Sequence, residues 1–382
     1  MKLPKITFWR IVIAVILLLG VYYTIIRFTK GLGAVTNLSD NSPWGLWVGF
    51  DVVTGVGLAA GGFLIALTVY IFRIDHYKPI LMPAILTGFL GYSLVAVGLI
   101  YDLGKWFNIW HPLVFWNHHS VMFEVAWCVM LYLSVLALEF STVVFEGLGF
   151  HRLEKLIHSF IIPIAIIGVI LSTLHQSSLG SLFLIVPEKL YKLWYSPLLP
   201  VFFFISAVSV GLAMITFEAF LSRRFLGKGL ELDLLNGLAR VNVLIMVFYF
   251  LLKILDLVNR GAISAVLSTN FKSIMFDLET MTQIIVPVIL LLIPAVRTNT
   301  KGLFIASLLV IVGFVMNRLD VAITGIENPA LGTYFPAFGE IVISVFLVTI
   351  GFLAFAFTAK HFPVFVDEEH AEEAEEEEII RG

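Results

Sequence analysis

Long apolar runs alternate with short polar breaks along nearly the whole chain. A run of about 18 or more mostly apolar residues is long enough to cross a bilayer as a helix. By that criterion the pattern predicts ten spans, at roughly 8–28, 47–72, 80–101, 118–143, 157–175, 198–220, 239–257, 275–295, 302–318 and 336–359. The first follows Lys2, Lys5 and Arg10. It is long and lacks a convincing small-residue cleavage site, so it reads as a span rather than a signal peptide. The predicted fold is an all-α integral membrane protein.

The pattern also repeats. After Asn117, His118 and His119 the fourth span opens with S-V-M-F-E-V (120–125), and S-I-M-F-D-L returns at 273–278. Each copy sets an acid, Glu124 or Asp277, inside an apolar helix. Asp102 and Asp256 end the third and seventh spans. V-I-L-S-T-L-H (169–175) and F-V-M-N-R-L-D (314–320) end the fifth and ninth, and Gly61…Arg73 echoes Gly211…Arg223. The matched positions lie 145 to 154 residues apart. Four spans separate equivalents, so both halves keep the same orientation, as a parallel repeat about an axis along the membrane normal. The expected architecture is two pseudo-symmetric four-helix bundles with flanking helices. Its expected parts are a first transmembrane helix with an outer loop (1–46), a first bundle holding the site (47–197), a second bundle (198–335), a last transmembrane helix (336–366) and a disordered acidic tail (367–382).

Composition agrees and adds an orientation. The 382 residues are 59% hydrophobic and 13% charged, where a soluble domain averages ~25% charged. Nine of the 27 acids fall in Asp367–Glu378, so the formal charge of −3 hides a mildly basic membrane part. No basic cluster points to nucleic acid. With the N-terminus cytoplasmic, 15 of the 24 Lys and Arg residues lie on the inner side, which predicts cytoplasmic N- and C-termini. The outer connections are then substantial enough to receive an extracytoplasmic partner, and Trp106, Trp110, Trp116 and Trp194 crowd the outer interface. The outer S-L-F-L-I-V (181–186) is too short to span and reads as re-entrant or interfacial. Cys128 is the single cysteine and lies in an apolar helix. The chain therefore has no thiolate set for an iron–sulfur cluster and no C-x-x-C-H for covalent haem. No metal-binding set is expected, and redox chemistry would need a diffusible cofactor, a His-ligated haem or metals on partner subunits.

Ionisable groups inside spans are costly and mark function by default. In the first half Asp51, Asp102, Glu124 and His175 are expected at one depth, toward the outer ends of their helices. The second half has Asp256, Asp277, Glu279 and Asp320, together with Lys253 and Arg318. Lys253 is expected to pair with Asp256 three residues on, and Arg318 with a nearby acid, so the second half reads as the charge-compensated, structural copy. Gly55, Gly57, Gly61 and Gly62, with Ala59 and Ala60, form a small-residue stripe on the second span. Such a stripe permits close helix packing or leaves room for a flat ligand ring. Trp44 and Trp47 stand at its outer mouth.

N-S-P-W-G-L-W-V-G-F-D-V-V-T-G-V-G-L-A-A-G-G-F (41–63), the glutamate of S-V-M-F-E and L-H-Q-S-S-L-G-S-L (174–182) resemble the NrfD/PsrC family of quinone-interacting membrane subunits. They are most similar to its HybB-type branch, found with periplasmic nickel–iron hydrogenases, and to the DsrP-type subunits of sulfate reducers. The resemblance implies stacked four-helix bundles in a bacterial or archaeal cytoplasmic membrane. It implies menaquinone or ubiquinone bound near the outer face and no haem in this subunit. It also implies an iron–sulfur, ferredoxin-like protein docked outside, with a catalytic or multihaem subunit beyond it. Position by position it carries over Glu124, His175, Asp51 and the glycines of the second span.

A quinone needs an apolar cleft, a hydrogen bond to each carbonyl and proton donors. His175 suits one carbonyl, because imidazole exchanges a proton near neutral pH. Glu124 is expected to be partly buried and to relay a proton. Asp102 is expected to fix the tautomer of His175, with Tyr101 and Gln176 as further donors. Glu139 and Glu218 toward the inner face, with Tyr92, Ser93, Tyr132 and Ser134 at intermediate depth, outline a proton path from the cytoplasm. Two other readings compete. A di-haem cytochrome b needs paired axial histidines, for which the chain offers His118, His119 and His175 outside and His158, His76 and His151 inside. A secondary transporter also fits parallel repeats and intramembrane acids, but its paired broken helices are not evident.

Overall fold

In lipid every backbone polar group must be satisfied within its own segment, and the chain meets this with helices alone among the described residues. The computed structural model describes residues 7–39, 44–185, 190–228, 231–327 and 334–365. The acidic tail 367–382 and the Asn41–Pro43 part of the tryptophan motif lie outside the described residues. Ten helices are long and apolar enough to span. They are α1 (Phe8–Lys30), α2 (Trp47–Ile71), α3 (Leu81–Asp102), α4 (Val121–Gly147), α5 (Ile161–Leu182), α6 (Leu199–Leu226), α7 (Leu232–Asn259), α8 (Phe271–Leu292), α9 (Thr300–Thr324) and α10 (Phe338–His361).

Several helices outrun the apolar runs that predicted them. α5 continues past His175 to Leu182, so His175 lies about 10 Å, or two turns, inside its end. Ser181 and Leu182 belong to this last turn, and Phe183 then packs its ring against Trp44 and Phe203 at 5.4 and 5.9 Å. Ser181 and Leu182 thus end a span, and Val186, the last residue of the S-L-F-L-I-V stretch, lies outside the described residues. α9 likewise runs on through Asp320 in a final π-helical turn (Asp320–Thr324). Polar residues end an apolar run in the sequence, but where neighbours satisfy them they need not end a helix.

Helix starts are capped locally. Ser120 Oγ accepts from the Phe123 amide at the start of α4. At the start of α8, Asn270 Oδ1 accepts from the Ser273 amide at 2.9 Å. The two serines of the repeated hexapeptide therefore play different parts. Ser120 is the cap, whereas Ser273 lies three residues inside its helix and donates to Ala265 O at 2.6 Å.

Packing follows chain order. α2–α5 touch in sequence, and contacts between α2 and α5 close them into a ring; α6–α9 do the same through α6 and α9. The rings meet through α5 on α6 and through α2 on α6 and α9. α1 and α10 pack on each other, and α10 lies against α2 and α3. α2, α4, α6, α8 and α10 all start at the face marked by Trp44, and the other spans end there.

α2 is the most enclosed of the ten spans, and its small residues explain this. A Cβ on Gly61 would stand 3.0 Å from Ile215 and 3.2 Å from Gly211 O on α6. On Gly62 it would stand 3.1 Å from Ala84 O, and on Gly55 3.0 Å from Val95, both on α3. The stripe is filled by neighbouring helices and leaves no slot for a ring.

Candidate functional site

The first ring encloses a polar layer at mid-helix. His175 on α5 is fully buried, and its Nδ1 lies 3.1 Å from Tyr92 OH on α3. The Tyr92 ring meets Tyr132 of α4 edge-on at 4.6 Å between centroids. Ser172, one turn before His175, lies beside both phenols. His175 Nε2 is buried without a hydrogen-bond partner, and Tyr132 OH and Ser172 Oγ lie near each other without a close hydrogen bond. Buried polar atoms are nearly always well paired, so this idle capacity makes the layer a candidate for holding another group.

Toward the Trp44 face, Glu124 bridges α4 to α5 by accepting from Ser178 Oγ. Ser178 comes from the L-H-Q-S-S-L motif, three residues beyond His175, which put it within reach of the same face. Glu124 itself is exposed, not partly buried as expected. Asp277, its counterpart in the repeat, is exposed as well. Gln176 turns away from His175 and donates to Val56 O at 3.0 Å, tying α5 to α2.

The remaining first-half acids do not join this layer. Asp51 accepts from Ser344 Oγ of α10 at 2.7 Å. Tyr101 OH lies 2.9 Å from Thr24 Oγ1 of α1. Arg27 of α1 donates to Tyr101 O at 2.7 Å and to Leu103 O at 2.6 Å, capping the end of α3 beside Asp102. Nearby, Glu340 of α10 accepts from the amides of Asn37 and Ala337 and from Tyr334 OH, and Trp47 Nε1 donates to Glu340 O at 3.1 Å. Burial, with the Glu340 carboxylate alongside, raises the ionisation of the Tyr334 phenol above its usual range. The expected set of Asp51, Asp102, Glu124 and His175 is therefore two groups. Asp51, Asp102 and Tyr101 face the flanking helices, and Tyr92 takes the position beside His175 that was expected of Asp102. Arg27, an intramembrane arginine, was the sequence signal for the flank group.

Along α4, Glu139 is buried two turns past Tyr132 and lies near Tyr132 and Tyr70. Glu218 of α6 accepts from Thr87 Oγ1 of α3 at 2.8 Å, between the rings. Ser134 is exposed and donates to its own helix at Met130 O, and Ser93 does likewise to Phe89 O, so neither extends the layer.

In the second ring Lys253 Nζ pairs with Glu279 Oε1 at 2.8 Å, not with Asp256. Asp256 instead pairs with Arg260 at 2.7 Å and accepts from Ser196. Arg318 bonds Asn317, Ser206 and Phe203 O and stacks on Phe203 and Phe314, with no carboxylate ion pair among the described residues.

A model of the family described as polysulphide reductase, NrfD, matches residues 34–330. The chain belongs to the NrfD family. Among relatives of this NrfD-family chain, a protein of Nitratidesulfovibrio vulgaris is 40% identical over 369 residues, covering 94% of each chain. The probable Ni/Fe-hydrogenase 2 b-type cytochrome subunit of Escherichia coli is 32% identical, covering 88% of this chain and 87% of its own. The menaquinone reductase integral membrane subunit of N. vulgaris is 28% identical, covering 96% and 94%. The matched family segment holds both rings and leaves α1 and α10 outside, so Arg27, Glu340 and Ser344 are supplied from beyond it.

The buried layer suits a quinone head group, because phenol, hydroxyl and imidazole N–H all donate to carbonyl oxygen. It suits a bis-histidine haem poorly. Apart from His175 and the half-exposed His111, the described histidines are exposed, and His175 Nδ1 is engaged by Tyr92.

Proposed function

We propose that this NrfD-family chain is the membrane-anchor and quinone-reactive subunit of a respiratory oxidoreductase. In this reading it exchanges electrons between an extracytoplasmic iron–sulfur partner and the menaquinone or ubiquinone pool. The observation that carries the reading is the layer of unused buried donors around His175, inside the segment that matches the family. The printed names of the hydrogenase and menaquinone reductase relatives support it. The cytoplasmic-membrane setting, cytoplasmic termini and an iron–sulfur docking partner with a catalytic or multihaem subunit beyond it belong to the same proposal.

The quinone, when bound, supplies two-electron, two-proton chemistry between its ring carbonyls. The chain's residues do the rest. His175 Nε2, Tyr132 and Ser172 offer hydrogen bonds in a dry layer, and Tyr92 holds His175 by its other nitrogen, fixing ring orientation. Glu124, held by Ser178 yet reachable from outside the ring, exchanges protons at the Trp44 face. Glu139 and Tyr132 lead toward the opposite face, the first steps of a path from the cytoplasm. Glu218 is tied to Thr87 between the rings and is the less direct contributor.

The test is Glu124→Gln in the purified complex. Reduction of a soluble quinone analogue should be lost, while the partner's reaction with a soluble dye continues. Full quinone turnover in that variant would overturn the assignment of Glu124.

A further inference from the structure

The connection from α4 to α5 lies at the end of the molecule opposite Trp44 and contains H-R-L-E-K-L-I-H-S-F (151–160). Leu153, Leu156, Ile157 and Phe160 fall at i, i+3, i+4 and i+7, the spacing of one helix stripe. The chain forms a helix there, His151–His158, entered through Gly149 at a φ of 76°. Around the helix axis Arg152 and Lys155 follow one edge of the stripe. Glu154 lies at the other edge, where its Oε2 meets His151 Nδ1 at 3.2 Å. Arg152 and Lys155 are exposed and make no ion pair among the described residues.

The described residues leave the stripe largely bare. Leu148, Phe150, Leu153, Leu156 and Phe160 are 45–57% exposed, whereas a stripe packed on the bundle would bury them. The stripe instead continues the bare apolar flank of α5 at Ile162, Ile166 and Ile170, which in a spanning helix is the side against lipid. Its position is fixed at both ends. The Phe150 amide donates to Phe145 O at 2.8 Å, and the two rings meet edge-on. The Phe160 amide donates to Ile157 O at 2.9 Å, and Phe160 O accepts from the Ile164 amide at 3.0 Å, which joins the helix to α5.

We propose that this connecting helix is a binding site for an anionic phospholipid and lies in the membrane interface. Leu153, Leu156, Ile157 and Phe160 enter the acyl region, and Arg152 and Lys155 hold the headgroup phosphate at its edge. A helix with bases beside an apolar stripe takes this position on anionic lipid. Long basic side chains lay their stems on apolar surface and keep the charge in the headgroup layer. Arg152 is the stronger contact, because a guanidinium can grip phosphate through two N–H groups. The charge also favours lipid over a second copy of this chain, since a two-fold contact through the same stripe would bring the cations of both copies together. In the proposed orientation the lipid belongs to the cytoplasmic leaflet. The site is separate from the His175 layer, so the outcome of the quinone test does not bear on it.

Two measurements test this. For the full chain in neutral detergent, dioleoyl phosphatidylglycerol should raise the melting temperature more than dioleoyl phosphatidylcholine does. Each basic residue near an anionic membrane surface strengthens attachment about fivefold. With Arg152→Gln and Lys155→Gln together, the phosphatidylglycerol concentration giving half of the rise should therefore increase by roughly an order of magnitude, with the phosphatidylcholine response unchanged. Equal stabilisation by both lipids, or an unchanged concentration in the double variant, overturns the headgroup contact. A spin label on Leu156→Cys in a Cys128→Ser background reports where the stripe lies in vesicles of the two lipids. Its collisions with dissolved oxygen should exceed those with a water-soluble nickel chelate. The reverse order, or dipolar broadening between the labels of two copies, overturns the interfacial placement.

Discussion

Single residues divide into those that leave something unused and those that do not. His175 keeps one imidazole nitrogen occupied by Tyr92 and the other idle. Tyr92→Phe removes the anchor but not the ligand nitrogen. It should weaken quinone turnover less than His175→Ala does, with the KM for a quinone analogue rising more than kcat falls. Steady-state kinetics on the two variants checks the order. Arg27 is the opposite case, with two of its N–H donors engaged by Tyr101 O and Leu103 O. Arg27→Met strands those carbonyls and should cost about 1–3 kcal/mol, read as a lower melting temperature in detergent.

At the level of helices, close approach decides more than polarity does. Gly211 of α6 would put a Cβ 2.9 Å from Gly61 N and 3.0 Å from Ala60 C, and backbone cannot step aside as a side chain can. Gly211→Leu should therefore part α2 from α6 and destabilise by about 1–3 kcal/mol or more, with a melt as the measurement. The glycine stripe was legible in the sequence, but its occupant was not. Periodicity shows that a face is smooth and leaves open whether Ile215, Ala84 or a ligand lies against it. Helix length was legible only as far as the apolar runs, because burial keeps Gln176 and Ser178 inside a helix that hydropathy would end at His175. The spacing of the repeat found Asp102 and His175 toward the ends of the third and fifth spans. It could not tell which side of its helix each would face, and that rotation separates the flank group from the buried layer.

For the whole molecule, ten spans and membrane integration were readable from run length, while the charge pairing was not. Lys253 and Asp256 share a helix face in sequence, yet the ammonium goes to Glu279, where Asn317 and Trp194 complete the carboxylate's partners. Lys253→Met alone should cost about 3–5 kcal/mol by leaving Glu279 without its cation, and Lys253→Met with Glu279→Met should recover most of it. Melting temperatures of the three proteins decide this. The proposed orientation is tested by a C-terminal reporter active only in the cytoplasm, which should be active on this chain. Activity of an exported reporter at that end would reverse the topology.

The connector from α5 to α6 carries a further consequence. It leaves the helix that bears His175, forms a bridge between Leu190 and Ile326, and lays Trp194 on Glu279 and Ser196 on Asp256. The two rings are thus fastened by side chains at the core of one and by continuous backbone to the other. They should melt as a single cooperative unit. A destabilising change near His175 would then lower the temperature at which a probe on α8 reports unfolding, and by as much as it does for a probe on α4.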